Sequence, residues 1–234
     1  MIAHDSAAAD RRNILVFILL LLPLLPGCGM YQDYKAHKEL LQIAAELEAE
    51  HRKLVESGDT LAAAAVVDSI HAIEGKVLYS STRRKMLDQT AKDFVLTDTN
   101  GLPVSLSNYQ GKVVVIDFWA SWCGPCIVAF PGLQRVMEES DPNDVHFLFV
   151  NTMEDGPDQL NAAKTFIEGK GYNDFHVLVD PGSDLARAYR VEGLPTTIVI
   201  DRDGKIRFRK TGTSTNQQTA QKELKTMIAV AGER

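Results

Sequence analysis

The sequence predicts an α/β fold, in which a central mixed sheet is flanked by helices and preceded by an N-terminal helical hairpin. Three observations predict it. Residues 31–88 carry apolar side chains at helical spacing, apolar β-branched runs then alternate with amphipathic stretches, and the chain closes on a hairpin and a helix. Such alternation is typical of a sheet covered on both sides. We therefore expect a signal peptide at 1–27, an anchor and helical spacer at 28–90, and the α/β domain at 91–234.

The first segment is typical of an export signal. Arg11 and Arg12 precede the apolar run NILVFILLLLPLLPGC, which is short and is interrupted by Pro23. Because a transmembrane helix needs about 20 apolar residues, this order favours a secretory signal peptide. The LPGC at 25–28 resembles the lipobox of bacterial lipoproteins, whose cysteine becomes the lipidated N-terminus. We expect an exported protein of the bacterial periplasm or cell envelope, anchored to a membrane through lipidated Cys28; an uncleaved anchor with unmodified Cys28 stays open.

Two helices are predicted between the signal and the α/β domain. Apolar residues recur at helical spacing in both: Leu40, Leu47 and Leu54 in the first, and Val66, Ile70, Ile73 and Val77 in the second. The ESGDT at 56–60 separates them, with Gly58 as C-cap and Asp59 or Thr60 as the next N-cap. Amphipathic helices joined this way bury their seam in a hairpin. Its role stays open between a spacer that lifts the α/β domain off the membrane and a homodimerisation device.

The α/β domain begins with strands. The segment DFVLTDTNGLPVSLSNY alternates in polarity around Asn100 and Gly101, which predicts a β-hairpin. The continuous apolar run KVVVIDFWA at 112–120 is typical of a strand buried on both faces. A helix is expected to follow over about 124–139.

The remaining elements alternate. VHFLFVNT and FHVLVD are expected strands on either side of the helix PDQLNAAKTFIEGKG, and SDLARAYRV is a short helix capped by Ser183 or Asp184. TTIVIDRDGKIRFRKTG is a second hairpin with its turn at Asp203 and Gly204, and residues 217–231 form a closing helix. The net charge of −6 argues against a nucleic-acid partner, because nothing here neutralises phosphates.

Two of the three cysteines lie two residues apart, directly after the apolar strand. Cys123 falls where the following helix starts, and the unsatisfied N–H groups and dipole of a helix N-terminus stabilise a thiolate. Cys126 lies about one turn further on, and Pro125 suits the first turn because it needs no N–H there. If Cys28 carries lipid, these are the mature chain's two cysteines, and export places them where a disulfide can persist.

A redox couple is the interpretation that these residues favour. A structural zinc site needs four ligands, and no second cysteine pair exists, while His146 and His176 each sit alone in an apparent strand. A purely structural bridge across so small a loop would contribute little stability. We therefore expect no metal, and no cofactor other than the Cys123–Cys126 disulfide.

The segment VVVIDFWASWCGPCIVAFP resembles the active site of the thioredoxin superfamily. With VSLSNYQGK before it and VLVDPGSDLARAYRVEGLPTTIVIDRDGKI downstream, the pattern resembles the membrane-tethered TlpA/ResA-like branch. The resemblance implies that Cys123 is the attacking thiol, Cys126 the resolving thiol and Pro195 a cis-proline that faces them. It also implies that the backbone of Leu194 pairs with an extended substrate segment.

Four further positions complete the predicted site. Asp117 should be buried with a raised pKa, and it matches the aspartate that serves thioredoxin as proton acceptor for the resolving cysteine. A strand-end carboxylate satisfied by backbone donors is the alternative. Trp122, Gly124 and Pro125 are expected to border the bound substrate. Members often carry a glutamate three residues after the second cysteine, where this chain has Ala129.

These residues predict an extracytoplasmic, lipid-anchored thiol–disulfide oxidoreductase that reduces protein disulfides. The Gly-Pro between the cysteines matches thioredoxin, at the reducing end of the potential scale near −270 mV. Such a reductase needs a membrane thiol-relay protein as electron donor, and the family suggests cytochrome c maturation or general disulfide reduction as its pathway. A disulfide-forming oxidant and a scaffold lipoprotein with a vestigial redox domain are the alternatives.

Overall fold

A computed structural model describes residues 29–233. They divide into two compact units, and the boundary in the chain lies between Arg84 and Lys85. The predicted signal peptide and the lipidation site Cys28 lie outside the described residues. Within the described part of the chain, no helix combines the length and apolar character needed to cross a membrane.

The first unit is the predicted helical hairpin. Helix α1 (Gly29–Ser57) and helix α2 (Thr60–Arg84) pack along a seam that buries Leu40, Leu47 and Ile73. Gly58 has φ +79°, a left-handed conformation that suits a glycine at a helix end. Asp59 starts the second helix, because its Oδ1 accepts the N–H of Ala62 at 3.0 Å. The helices and the turn between them are confirmed; the anchor, spacer and homodimer roles stay predictions.

The second unit holds one eight-stranded mixed sheet with the order β1-β8-β7-β4-β5-β6-β2-β3. Its strands are β1 (Gln89–Thr90), β2 (Val95–Asp98), β3 (Pro103–Ser105), β4 (Val113–Trp119), β5 (Val145–Asn151), β6 (Val177–Val179), β7 (Thr196–Ile200) and β8 (Lys205–Thr211). The central strand β4 pairs in parallel with β5 and antiparallel with β7. The predicted mixed sheet is confirmed.

Helices cover both faces of this sheet. They are α3 (Gly124–Glu138), α4 (Gln159–Lys170), α5 (Asp184–Ala188) and α6 (Gln217–Ala231), with 3₁₀ turns at Leu106–Tyr109 and Pro181–Ser183. Successive side chains of a strand point to opposite faces. Ile116 and Phe118 accordingly share a core with Leu185 of α5. Asp117 points the other way and lines a cavity together with residues of α3 and α6.

Two details of the sheet differ from the sequence-based expectation. Strand β1 is not predicted, since its two residues form a strand only by pairing with Ile206 and Lys205 of β8. His146 and His176 were expected to sit alone, which is wrong: Nε2 of His146 lies 3.2 Å from Nδ1 of His176. The parallel pairing of β5 and β6 brings them together from positions thirty residues apart.

The two imidazoles, one on β5 and the other just before β6, form a small polar cluster. Tyr109 stacks on His146 with ring centroids 4.3 Å apart, and Asp98 Oδ2 lies 4.0 Å from Nε2 of His176. Burial, then the charges of His176 and Lys112, lower the pKa of His146 to about 4. Burial also lowers the pKa of His176, against the opposing effect of Asp98. The cluster therefore favours neutral imidazoles in the folded state.

We expect the cluster to make the fold acid-sensitive. A histidine whose folded pKa lies below its unfolded value stabilises the fold above the unfolded pKa, and that stability is lost as pH falls towards the folded pKa. Between pH 7 and pH 4 the wild type should lose about 1–2 kcal/mol of unfolding free energy more than His146→Phe, which keeps the stacking but cannot titrate. Urea unfolding at both pH values measures this. Exposed His71→Gln is the control, and equal losses in wild type and His146→Phe would contradict the prediction.

Candidate active site

The two cysteines lie where β4 gives way to α3. Cys123 is the N-cap of α3 with extended backbone angles, and Pro125 occupies the first turn. The Sγ of Cys123 accepts the backbone N–H of Cys126 at 3.2 Å. In the structure the two sulfurs form a disulfide, and the Cα atoms are 5.3 Å apart. The expectation that Cys123 sits at a helix start is confirmed.

This position favours a negative charge on the first sulfur. The N-terminal N–H groups of a helix lack partners within the helix, and one of them already points at the Cys123 sulfur. Together with the helix dipole, such a donor stabilises the thiolate that appears when the disulfide opens. Cys126 is completely buried, whereas Cys123 keeps 3% of its surface exposed. Cys123 is thus the sulfur that a partner molecule can reach first.

The two tryptophans of the segment play different parts. Trp119 is completely buried and packs edge-on against Phe130. Trp122 is 58% exposed beside the disulfide, and its Nε1 donates to the carbonyl of Met153 at 2.8 Å. Trp119 therefore belongs to the packed core of the domain. Trp122 supplies an exposed aromatic surface next to Cys123.

Asp117 is buried in the middle of β4 on the side of α3. Its Oδ1 accepts the hydroxyl of Thr197 at 2.7 Å, and its Oδ2 has no hydrogen-bond partner in the described structure. Burial raises the pKa of Asp117 to about 7, and the Thr197 hydrogen bond opposes part of that rise. The alternative of a strand-end carboxylate held by backbone donors does not fit this arrangement. A carboxyl group that titrates near neutrality can accept and release a proton.

A cavity beside Asp117 connects the strand to the two helices above it. The space open to the centres of water molecules is about 50 Å³, enough for a few waters. Ala129 and Gly132 of α3, together with Pro195, contribute to its wall. The Ala129 side chain is small and brings no carboxylate into this wall. The cavity brings Asp117 and Pro195 to one place under α3.

The Leu194–Pro195 peptide bond is cis, as the resemblance implies. The carbonyl of Pro195 accepts the N–H of Gly212 at 2.7 Å, and Thr196 Oγ1 donates to the carbonyl of Gly193. These bonds fix the segment that leads into β7. The substrate-binding roles predicted for Leu194 and Pro195, and for Gly124 and Pro125, stay predictions.

One neighbour of the cysteines is absent from the prediction. Oε1 of Glu154, in the loop after β5, accepts the N–H of Ser121 at 2.5 Å, and its Oε2 accepts the Ser121 hydroxyl at 2.8 Å. Nothing in the local sequence announces these contacts, because the partners are 33 residues apart. The sequence offers one weak signal, a carboxylate two residues after the predicted strand VHFLFVNT.

No metal centre accompanies the disulfide in the described part of the chain. Residues 29–233 contain no group of three or more His, Cys, Asp or Glu side chains that could hold a metal ion. The groups that the structure does place at the site are the two sulfurs, the buried carboxyl group of Asp117 and the backbone donors of α3.

Comparisons with known proteins agree with this site. A family model described as Redoxin matches residues 86–228. The Thiol-disulfide oxidoreductase ResA of Geobacillus thermodenitrificans (strain NG80-2) is 37% identical over 132 residues, which cover 56% of this chain and 73% of that protein. ResA of Bacillus subtilis (strain 168) is 37% identical over 125 residues, covering 53% and 67%.

A solved structure of a thiol–disulfide exchange protein is also similar to this chain. The crystal structure described as a thiol:disulfide interchange protein DsbE from Chlorobium tepidum superimposes with a TM-score of 0.54 and 31% sequence identity. The match covers 62% of this chain and 97% of that one.

Proposed function

Because the chain belongs to the Redoxin family and is a thioredoxin-like thiol–disulfide oxidoreductase of the TlpA/ResA-like type, we propose that it reduces protein disulfides outside the cytosol through Cys123 and Cys126. The observation that carries the proposal is the placement of Cys123 as the N-cap of α3, with a backbone N–H donated to its sulfur. A thiolate held there is the nucleophile that disulfide exchange needs.

The reaction starts from the dithiol form. The Cys123 thiolate attacks one sulfur of a substrate disulfide, that bond breaks, and the departing substrate sulfur takes a proton. Asp117 accepts the proton of Cys126, whose sulfur then attacks the Cys123 sulfur of the mixed disulfide. The second substrate thiol leaves, and the Cys123–Cys126 disulfide forms. The substrate gains two electrons and the protein loses two.

The substrate is proposed to bind across the exposed rim of the site. The indole of Trp122 offers apolar contact, and the backbone of Leu194 offers strand-like pairing beside Pro195. Gly124 and Pro125 carry little side-chain bulk over the start of α3, which leaves Cys123 accessible from outside. This arrangement fits an extended protein segment better than a small molecule.

Regeneration and location complete the proposal. Each turnover leaves the protein as a disulfide, so a donor must return two electrons; outside the cytosol a membrane thiol-relay protein is the partner we propose. A lipid on Cys28 would keep the protein beside such a donor. Cytochrome c maturation and general disulfide reduction are the two pathways consistent with this chemistry.

Two measurements test direction and substrate. Equilibration with glutathione or dithiothreitol should give a reduction potential near the −270 mV of thioredoxin, whereas a value near −120 mV would identify an oxidant instead. Expression of Cys126→Ser in cells should hold substrates on Cys123 as mixed disulfides. Capture of apocytochromes would select cytochrome c maturation, a broad set of exported proteins would select general reduction, and no capture would count against the reductase.

A further inference from the structure

The loop after β5 holds the turn that leads to Cys123. Glu154 accepts both the N–H and the O–H of Ser121, two residues before that cysteine, and it also accepts Nδ2 of Asn151 at 2.7 Å. The next residue of the turn, Trp122, donates its indole N–H to the carbonyl of Met153. The loop thus fixes Ser121 and Trp122, the two residues between β4 and Cys123 whose side chains carry a hydrogen-bond donor.

The loop after β5 is itself fixed by hydrogen bonds to other segments, so it can serve as a rigid support. Met153 has a left-handed backbone with φ 54°, and its N–H donates to Ser183 Oγ at 3.1 Å. Thr152 Oγ1 donates to the buried carboxylate of Asp180 at 3.0 Å. Gln159 of α4 donates to the carbonyl of Asn151 at 2.8 Å. Bonds to α4 and to the 3₁₀ turn before α5 hold the loop in place.

We propose that Glu154 is a positioning residue for disulfide exchange, because it fixes the turn that delivers Cys123 to the start of α3. This inference rests on the proposed function. The Ser121 N–H lies in a turn that has left the β4 ladder, so Glu154 supplies an acceptor that the sheet does not.

The role follows from the geometry of exchange. Attack on a disulfide needs the sulfur close to and in line with its target, and a misplacement of about 1 Å can cost about a hundredfold in rate. Without Glu154, Ser121 loses the acceptor of its N–H and its hydroxyl, and Cys123 follows two residues later in the chain. Thiol reactivity should therefore fall while the global fold persists.

Three variants separate positioning from charge and from general stability. Glu154→Ala removes the acceptor, and Glu154→Gln removes the charge but keeps an oxygen for the Ser121 N–H and a group that can pair with its hydroxyl. Asp155→Asn makes the same change of charge at the next residue, which is exposed. The full chain, purified in a mild detergent and reduced, is reacted with dithionitrobenzoate at several pH values.

Glu154→Ala should react at least about tenfold more slowly at every pH, while Glu154→Gln and Asp155→Asn stay within about twofold of wild type. In NMR spectra the Ser121 amide proton should be shifted downfield and protected from exchange in wild type and Glu154→Gln, and in Glu154→Ala it should lose both properties. A role confined to stability would lower the melting temperature of Glu154→Ala without slowing the thiol reaction.

Two results would overturn the inference. One is an unchanged rate in Glu154→Ala, and the other is an equal loss in Glu154→Gln, which would assign the effect to charge. Failure of the proposed function looks different: wild-type Cys123 itself would then fail to reduce protein disulfides, whereas the Ser121 amide signal would still report whether Glu154 holds the turn.

Discussion

Replacing Cys123 with serine is expected to abolish disulfide reduction. The attacking thiolate is lost, and a serine hydroxyl with the same position at the helix start is too weak an acid to replace it. The rate of insulin reduction in the presence of dithiothreitol should fall to the rate that dithiothreitol gives alone. The fold should persist, because the substitution exchanges one small side chain for another.

Cys126→Ser is the matched control, with the same chemical change three residues further on. It should still attack, so it should accumulate mixed disulfides on Cys123 instead of releasing product. The two variants thus fail at different steps, which mass spectrometry under non-reducing conditions distinguishes. If wild type and Cys123→Ser gave equal rates of insulin reduction, the chain would be better described as a scaffold lipoprotein with a vestigial redox domain.

Asp117→Asn is expected to slow release of product from the mixed disulfide by about a hundredfold, the usual effect of losing a general base. Since the pKa of Asp117 is about 7, the carboxylate form that accepts a proton appears as pH rises through neutrality. The wild-type release rate should therefore rise between pH 6 and pH 8, and the variant should lack that rise. Stopped-flow measurements across pH 6 to 9 test this.

Thr197→Val is the control for the Asp117 prediction. It keeps the carboxyl group but removes the hydrogen bond that lowers its pKa, so the rise in release rate should move to higher pH. Turnover that is the same in wild type and Asp117→Asn across the whole pH range would remove Asp117 from the mechanism.

Asp117→Asn should also stabilise the fold at alkaline pH. The pKa of Asp117 is raised from 3.8 to about 7 on folding, so the fold favours the protonated carboxyl, and stability is lost as pH rises towards and through 7. Asparagine cannot ionise and escapes this loss. At pH 8 we expect Asp117→Asn to gain about 2 kcal/mol or more in urea unfolding, with little gain at pH 3, below the unfolded pKa of the carboxyl group.

Much of the site could be predicted from sequence because its determinants are local. The apolar run of β4 specifies a buried strand, so the burial of Asp117 follows from its neighbours along the chain. The start of α3 follows from Cys123 and Pro125 in the same way. The cis bond before Pro195 was accessible only through family resemblance, since the surrounding residues do not determine it.

The remaining features depend on contacts between distant segments. Glu154 meets Ser121, and His146 meets His176, only because β5 lies between its neighbours in the sheet. No periodicity in the sequence predicts that these side chains contact one another. Strand β1 is likewise defined by pairing with β8 and not by its own two residues.

The two ends of the sheet bear on whether copies of this protein can associate edge to edge. Strand β3 has only three residues and contains Pro103, which cannot donate to an added strand. At the opposite end, β1 covers just two positions of β8, whose remaining length carries the cations Arg207, Arg209 and Lys210. Short edges, proline and clustered positive charge all discourage strand-to-strand association between copies. Both edges of the sheet are therefore poorly suited to adding strands from another copy, which protects the fold against amyloid-like growth.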